Sequence, residues 1–397
     1  MGIIVALENY ENFNKKNEKI LKELSNRFDK IIVTNVINLK INCKPVNIIN
    51  EKYLPKNFIC ENFNTSNEFI NYFKKIDFID IQFLSKTLEY FKIHYLLKKA
   101  NIKNIMIMNL GNFGNKQTIE WNYKYFFSAY RHYYERGFYY LFRILTILNI
   151  FPKIDLLFEC NIDTINAHNT GLSRKIENFF PFLKIAYFRK IEKINSIFFD
   201  HYFENKNKIQ EEENEVILYI DTPINHPDRI SREGNIKNEI IQKYYKNLNN
   251  FLLNLSKLLN MEVIICLHPK NLLIKNYLSN FKISQEQTIN MIPSSKVIAY
   301  SLSSSILNAV MYKKKIINIK SKFLGDYLNK INLKYVNSLK FLSHDIDGDF
   351  LLSKEDCLLK MNESLLNYEN FIKKRLNSDE NNISRIKIIN KIKENFF

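Results

Sequence analysis

Three short stretches in the second half of the chain hold residues able to manage a phosphate and a hydroxyl proton. The first is Asp221-Thr222-Pro223-Ile224-Asn225-His226-Pro227-Asp228-Arg229-Ile230-Ser231-Arg232-Glu233-Gly234. It follows an apolar run directly and offers the carboxylates of Asp221, Asp228 and Glu233 on a loop stiffened by proline. A carboxylate held rigidly in a positive environment stays ionised and can take a hydroxyl proton, which is the work of a general base. The plainer use of Asp221 or Asp228 is to cap a helix or turn. The second stretch, Cys266-Leu267-His268-Pro269-Lys270-Asn271, closes another apolar run. His268 and Lys270 there supply two donors for an anion, and an imidazole can also protonate a departing phosphate. The third, Ser301-Leu302-Ser303-Ser304-Ser305, precedes an apolar helix. Hydroxyls and free N–H groups at a helix start form an anion site, although ordinary N-capping needs only one serine.

Taken in order, these stretches resemble motifs of bacterial sialyltransferases, polysialyltransferases and related Kdo-type transferases of capsule and lipopolysaccharide. That group carries a D/E-D/E-G loop, a His-Pro pair and a later Ser/Thr-Ser pair. The matching residues are Arg232-Glu233-Gly234, His268-Pro269 and Ser303-Ser304-Ser305, all in the C-terminal half. The resemblance implies a GT-B fold and inverting, metal-independent transfer of an acidic sugar, sialic acid-like or Kdo-like. The donor would be a CMP-sugar and the acceptor a surface glycan or glycolipid. His268 would bind and protonate the CMP phosphate, and the serines would hold it. Arg232 stands where the group has an acid, so Glu233, Asp228 and Asp221 compete for the role of base. Pro269, Lys270, Gly234 and Asn112 complete the expected substrate contacts.

No cofactor or metal is expected. Asp345-Ile346-Asp347 has the spelling of a metal-dependent donor motif, but it lies late, beside Gly348, in a loop context. Two transferase alternatives share the fold: a CDP-alditol glycerol- or ribitol-phosphate transferase, and a UDP- or GDP-sugar glycosyltransferase.

Such loops need strands to hold them. Val216–Ile220, Glu262–Leu267, Lys296–Tyr300 and Lys315–Ile319 read as strands, with Asn238–Leu259 and a segment ending at Met311 as helices. In the first half Gly2–Leu7, Lys30–Asn35, Ile79–Phe83 and Ile105–Met108 read as strands, the last followed by a turn containing Gly111, Asn112 and Gly114. Strands alternating with helices predict a parallel α/β fold, here GT-B-like, with two Rossmann-like domains and a cleft between them. Residues 1–205 read as an acceptor-side domain, and the polar run 206–215 as a linker. Residues 216–352 read as the nucleotide-sugar domain, and 353–397 as C-terminal helices returning across both. Within the first domain, Trp121 to Pro152 interleaves aromatic rings with Arg131, Arg136 and Arg143, a composition suited to a membrane interface or to a buried helical hairpin.

Composition bounds these readings. The chain has 397 residues, 46% of them apolar, with only 8 Gly and 8 Pro, which excludes disorder and collagen-like architecture. Its net charge of +17 favours acidic sugar nucleotides or anionic surfaces. It also leaves a non-enzymatic alternative, a basic membrane- or nucleic-acid-binding protein. Neither an RNP-type strand nor a helix-turn-helix supports nucleic acid as a partner. Five scattered cysteines without a CxxC pair argue against a disulfide framework. With no signal-peptide core and no long apolar span, a cytoplasmic protein is expected, with room for peripheral contact at the inner membrane surface.

Overall fold

A computed structural model of the chain describes residues 2–7, 23–24, 26–28, 31–35, 58–63, 65–74, 78–82, 91–108, 141, 144–146, 148–160, 188–206, 214–225, 229–230, 234–268, 277–284, 286–376 and 383–396. They form two compact units, one of residues 1–196 and 378–397, the other of residues 197–377.

The first unit holds seven strands: β1 (Gly2–Leu7), β2 (Ile31–Asn35), β3 (Phe58–Asn62), β4 (Phe78–Gln82), β5 (Lys103–Met108), β6 (Ile154–Glu159) and β7 (Phe188–Lys193). Their order is β3-β2-β1-β4-β5-β6-β7 and every pairing is parallel. Helix α1 (Ser66–Phe73) starts with a capping box, the Thr65 hydroxyl accepting from Glu68 N and the Glu68 carboxylate from Thr65 N. These exchanges satisfy two N–H groups that a helix start otherwise leaves open. The rings of Phe63, Phe69 and Phe73 cluster beneath it and pack with Leu96 and Leu97 of α2 (Phe91–Lys99).

The second unit holds α3 (Ile197–Asn205), β8 (Asn214–Ile220), α4 (Asn238–Leu259), β9 (Glu262–Cys266), β10 (Lys282–Ser284), β11 (Ser295–Tyr300), α5 (Ile306–Met311), β12 (Lys315–Lys320), α6 (Gly325–Leu339), β13 (Leu342–Asp345) and α7 (Lys354–Leu365). Its sheet runs β10-β9-β8-β11-β12-β13, again parallel. Ile217 to Ile220 are all buried, as a strand covered on both faces requires. Helix α4 buries Ile241, Tyr244, Tyr245, Leu248, Phe251, Leu252, Leu255 and Leu259 at helical spacing. Each such side chain contributes about 1.5–3 kcal/mol of transfer free energy before ordering costs. The helix stops where Asn260 turns left-handed at φ 55°, a conformation asparagine tolerates.

The strand order reverses between β8 and β11. In parallel sheets that reversal opens a crevice beyond the carboxyl ends of the two strands.

Two boundaries differ from the sequence expectation. Helix α3 belongs to the second unit, because it buries Phe198 and Phe199 and sets Tyr202 against Tyr312 beside α5, ring centroids 5.1 Å apart. Of the expected linker, Asn214 and Glu215 are already part of β8, while residues 207–213 lie outside the described residues. At the other end, α7 stays with the second unit and α8 (Ser384–Phe396) belongs to the first. There the Ser384 hydroxyl donates to the Asn195 carbonyl at 3.0 Å, and Arg27 Nη1 donates to Asn390 at 3.2 Å. The aromatic run 121–140 and the turn with Asn112 lie outside the described residues.

Candidate active site at the switch point of the second sheet

The three stretches with chemistry-bearing side chains leave the carboxyl ends of β8, β9 and β11, three neighbouring strands with β8 in the middle. Parallel pairing of Ile220 with both Cys266 and Tyr300 puts the three exits at one level. The strands thus bring together what lies 47 and 80 residues apart in sequence.

The β8 loop is bonded to both neighbours. Asp221 N donates to the Cys266 carbonyl at 3.0 Å, and Asp221 Oδ2 accepts the backbone N–H of His268 at 3.2 Å. On the other side the Thr222 hydroxyl donates to the Leu302 carbonyl and accepts from Leu302 N at 3.0 Å. Asp221 and Thr222 are 2% and 3% exposed. Asp221 is thus buried and tied to the backbone of His268. His268 itself is half-buried.

Within the serine turn the hydroxyls divide. Ser301 is buried and its Oγ lies 3.3 Å from the Tyr244 hydroxyl, while Ser303 Oγ accepts the Ser305 N–H at 3.2 Å. Both hydroxyl oxygens thus have partners within the chain. The hydroxyls of Ser304, which is exposed, and of Ser305 make no hydrogen bond among the described residues. Since α5 has only six residues, its dipole is small, and any anion held here would depend on these hydroxyls more than on the helix.

Gly234 takes φ +83° with open space around its α-carbon, and its N–H donates to the Ile230 carbonyl at 2.9 Å. Its role in the structure is the left-handed turn that leads into α4. Asp228, Glu233, Pro269 and Lys270 lie outside the described residues. Asp345-Ile346-Asp347 is structural on its second acid: Asp347 accepts from Ser321 Oγ, Lys322 N and Asn247 Nδ2.

Four residues join the site that the sequence reading did not single out. Thr222 is the first. Arg229, 7% exposed, donates Nη1 to the carbonyls of Ile224 at 3.1 Å and Phe323 at 2.7 Å, bringing a cation to this edge. Asn318, fully buried on β12, donates to Asn332 Oδ1 at 2.7 Å and accepts from the Ser343 hydroxyl at 2.9 Å, with the Tyr300 and Ser301 backbone carbonyls at 3.4 Å. Tyr244 underpins Ser301, and burial pushes its phenol up to about 12, so it remains a neutral hydroxyl at any working pH. The signal for Asn318 was a polar residue inside the apolar run Lys315–Lys320.

No protein-family model and no curated protein matches this sequence. In fold the chain is similar to UDP-GlcNAc 2-epimerase from Methanocaldococcus jannaschii, at 13% identity over 99% of each chain with a TM-score of 0.50. It is also similar to Phytolacca americana UGT2 complexed with UDP-2fluoro-glucose and pterostilbene, at 8% identity over 100% of this chain and 99% of that one, with a TM-score of 0.52. The fold is GT-B-like, made of two Rossmann-type parallel α/β units.

Proposed function

We propose that this chain is an inverting, metal-independent glycosyltransferase that uses a nucleotide-sugar donor and a glycan or glycolipid acceptor. The observation that supports it most is the tethering of His268, Asp221, Thr222 and the serine turn at one switch point. In the reaction the acceptor oxygen bonds to the anomeric carbon while the bond from that carbon to the donor phosphate breaks. The hydroxyl proton passes to a carboxylate, and the phosphate leaves with the bonding electrons. His268 donates to that phosphate, Ser304 and Ser305 hold it, and the buried Arg229 adds positive field. Asp221 positions His268, so Glu233 or Asp228 serves as the base.

The motif resemblance favours a CMP-linked acidic sugar as donor. A UDP-sugar is the second reading, favoured by the fold's likeness to proteins whose own names carry UDP-sugars.

Thermal-shift measurements with CMP, CDP, UDP and GDP test the proposal. A nucleotide that binds only the folded chain adds about 2.7 kcal/mol of apparent stability at a hundredfold excess over Kd. CMP-selective stabilisation that His268→Ala removes supports the main reading, and UDP-selective stabilisation transfers it to the second. If none of the four raises the melting temperature, the nucleotide-sugar assignment fails. Glu233→Gln and Asp228→Asn identify the base, since loss of the true one abolishes turnover while donor binding persists.

A further inference from the structure

Several apolar side chains of the first unit between Leu141 and Ile150 face solvent. Leu141, Ile144 and Leu148 recur at helical spacing and so share a face, yet they are 41%, 50% and 62% exposed, while Thr146 between them is fully buried. The turn that follows is held firmly: Leu148 N donates to Ile144 O, and Ile150 N to Leu145 O. Ile150 is 41% exposed, whereas Phe151 next to it is buried and fixes the turn to the unit. Tyr95 of α2, also 41% exposed, extends the apolar surface, because Lys98 one turn further along α2 donates to Asn149 Oδ1 at 2.8 Å. Several exposed apolar side chains in one place mark an interaction surface on a soluble domain.

Among the described residues, lysines stand beside this patch. Lys98 and Lys99 close α2, and the Lys99 ammonium stands 5.4 Å from the centre of the Tyr95 ring. Lys103 opens β5 and Lys153 precedes β6; the two strands pair in parallel, so both lysines lie at the end of the sheet where the turn sits. Asp155 of β6 is paired with Arg189 at 3.2 Å. A second copy docking through the same patch would set lysines against lysines, which a self-complementary contact disfavours. Apolar side chains ringed by lysine suit a bilayer with anionic headgroups, where rings and aliphatic chains enter the interface and ammonium groups meet phosphate. We infer that Tyr95, Leu141, Ile144, Leu148 and Ile150, with the lysines around them, form a surface that docks on an anionic phospholipid membrane.

Vesicle flotation of the full chain tests this, using phosphatidylcholine alone and phosphatidylcholine with about one quarter phosphatidylglycerol. The parent is expected to float with the anionic vesicles and less as salt rises. Leu148→Asp, at the most exposed position, and the pair Ile144→Asp with Leu148→Asp are expected to cut the bound fraction roughly tenfold at an unchanged melting temperature. Lys98→Glu with Lys99→Glu lowers binding to anionic vesicles and leaves the residual binding insensitive to salt. Failure of the parent to bind either vesicle overturns the inference. So does equal binding by Leu148→Asp and the lysine pair, or a parent dimer that these aspartates turn into a monomer with no vesicle capture. No nucleotide enters the measurement, so its outcome is independent of the donor assignment.

Discussion

The carboxylate of Asp221 receives the backbone N–H of His268 at 3.2 Å. One acid at the end of β8 thereby sets the height at which the imidazole-bearing residue leaves β9. Asp221→Ala removes the acceptor and leaves that N–H without it, which costs about 1–3 kcal/mol. Turnover is expected to fall with it. Asp221→Asn keeps an oxygen in place and should retain most of the stability. Urea unfolding and initial rates on both variants decide it, and an alanine variant that matches the parent in both would rule the tether out.

A residue that only packs would affect binding and rate alike. His268→Gln retains size and hydrogen bonding but has no titrating proton. Its kcat is expected to drop about 100-fold, as for loss of a general acid, with KM for the donor changing little. Steady-state kinetics against donor concentration reads this directly, and a loss confined to KM would argue for binding alone.

How much of this was legible in the sequence depended on burial. The central strands β8, β9, β11 and β12 are apolar runs covered on both faces, and their positions and the extent of α4 follow from pattern alone. Four of the five strands that escaped notice are β3, β7, β10 and β13, the two edges of each sheet. An edge strand is covered less and carries charge against further pairing: β7 reads Phe-Arg-Lys-Ile-Glu-Lys and β13 Leu-Ser-His-Asp. The fifth, β6, has a strong apolar pattern and was hidden beside the aromatic run. At the site, residue types located the loops, but the cross-loop bonds of Asp221 and Thr222 required knowing which strands are neighbours.

The same network makes Asn318 a sensitive position. It bonds Asn332 and Ser343 inside the buried core and reaches the carbonyls that lead into the serine turn. Asn318→Leu strands those partners and is expected to destabilise the second unit by about 1–3 kcal/mol. Chemical denaturation measures it. Because Ser301 shifts with the network, nucleotide affinity should weaken as well; a variant with parental stability would show that water replaces the amide.

His344 makes stability depend on pH. It stacks on Phe251 with centroids 5.1 Å apart, and lies 5.3 Å from Phe350. Burial holds its pKa below the ordinary imidazole value, opposed in part by Asp345. As pH falls below about 6.5 the unfolded chain takes up this proton first, so stability present above that point is lost on acidification. His344→Phe keeps the ring contact and removes the titration. Its melting temperature should fall less than the parent's between about pH 7 and pH 5. Parallel curves for the two proteins would assign the acid sensitivity to other groups.

Helix α8 completes the first unit although about 190 residues separate it from β7. At about 5–20 residues per second, a ribosome needs roughly 10–40 s to make that stretch. Throughout that interval the surface that will receive Ile388, Ile389 and Ile392 waits uncovered. The first unit therefore closes only after the second has been made, and its uncovered surface is open to chaperones and proteases until then.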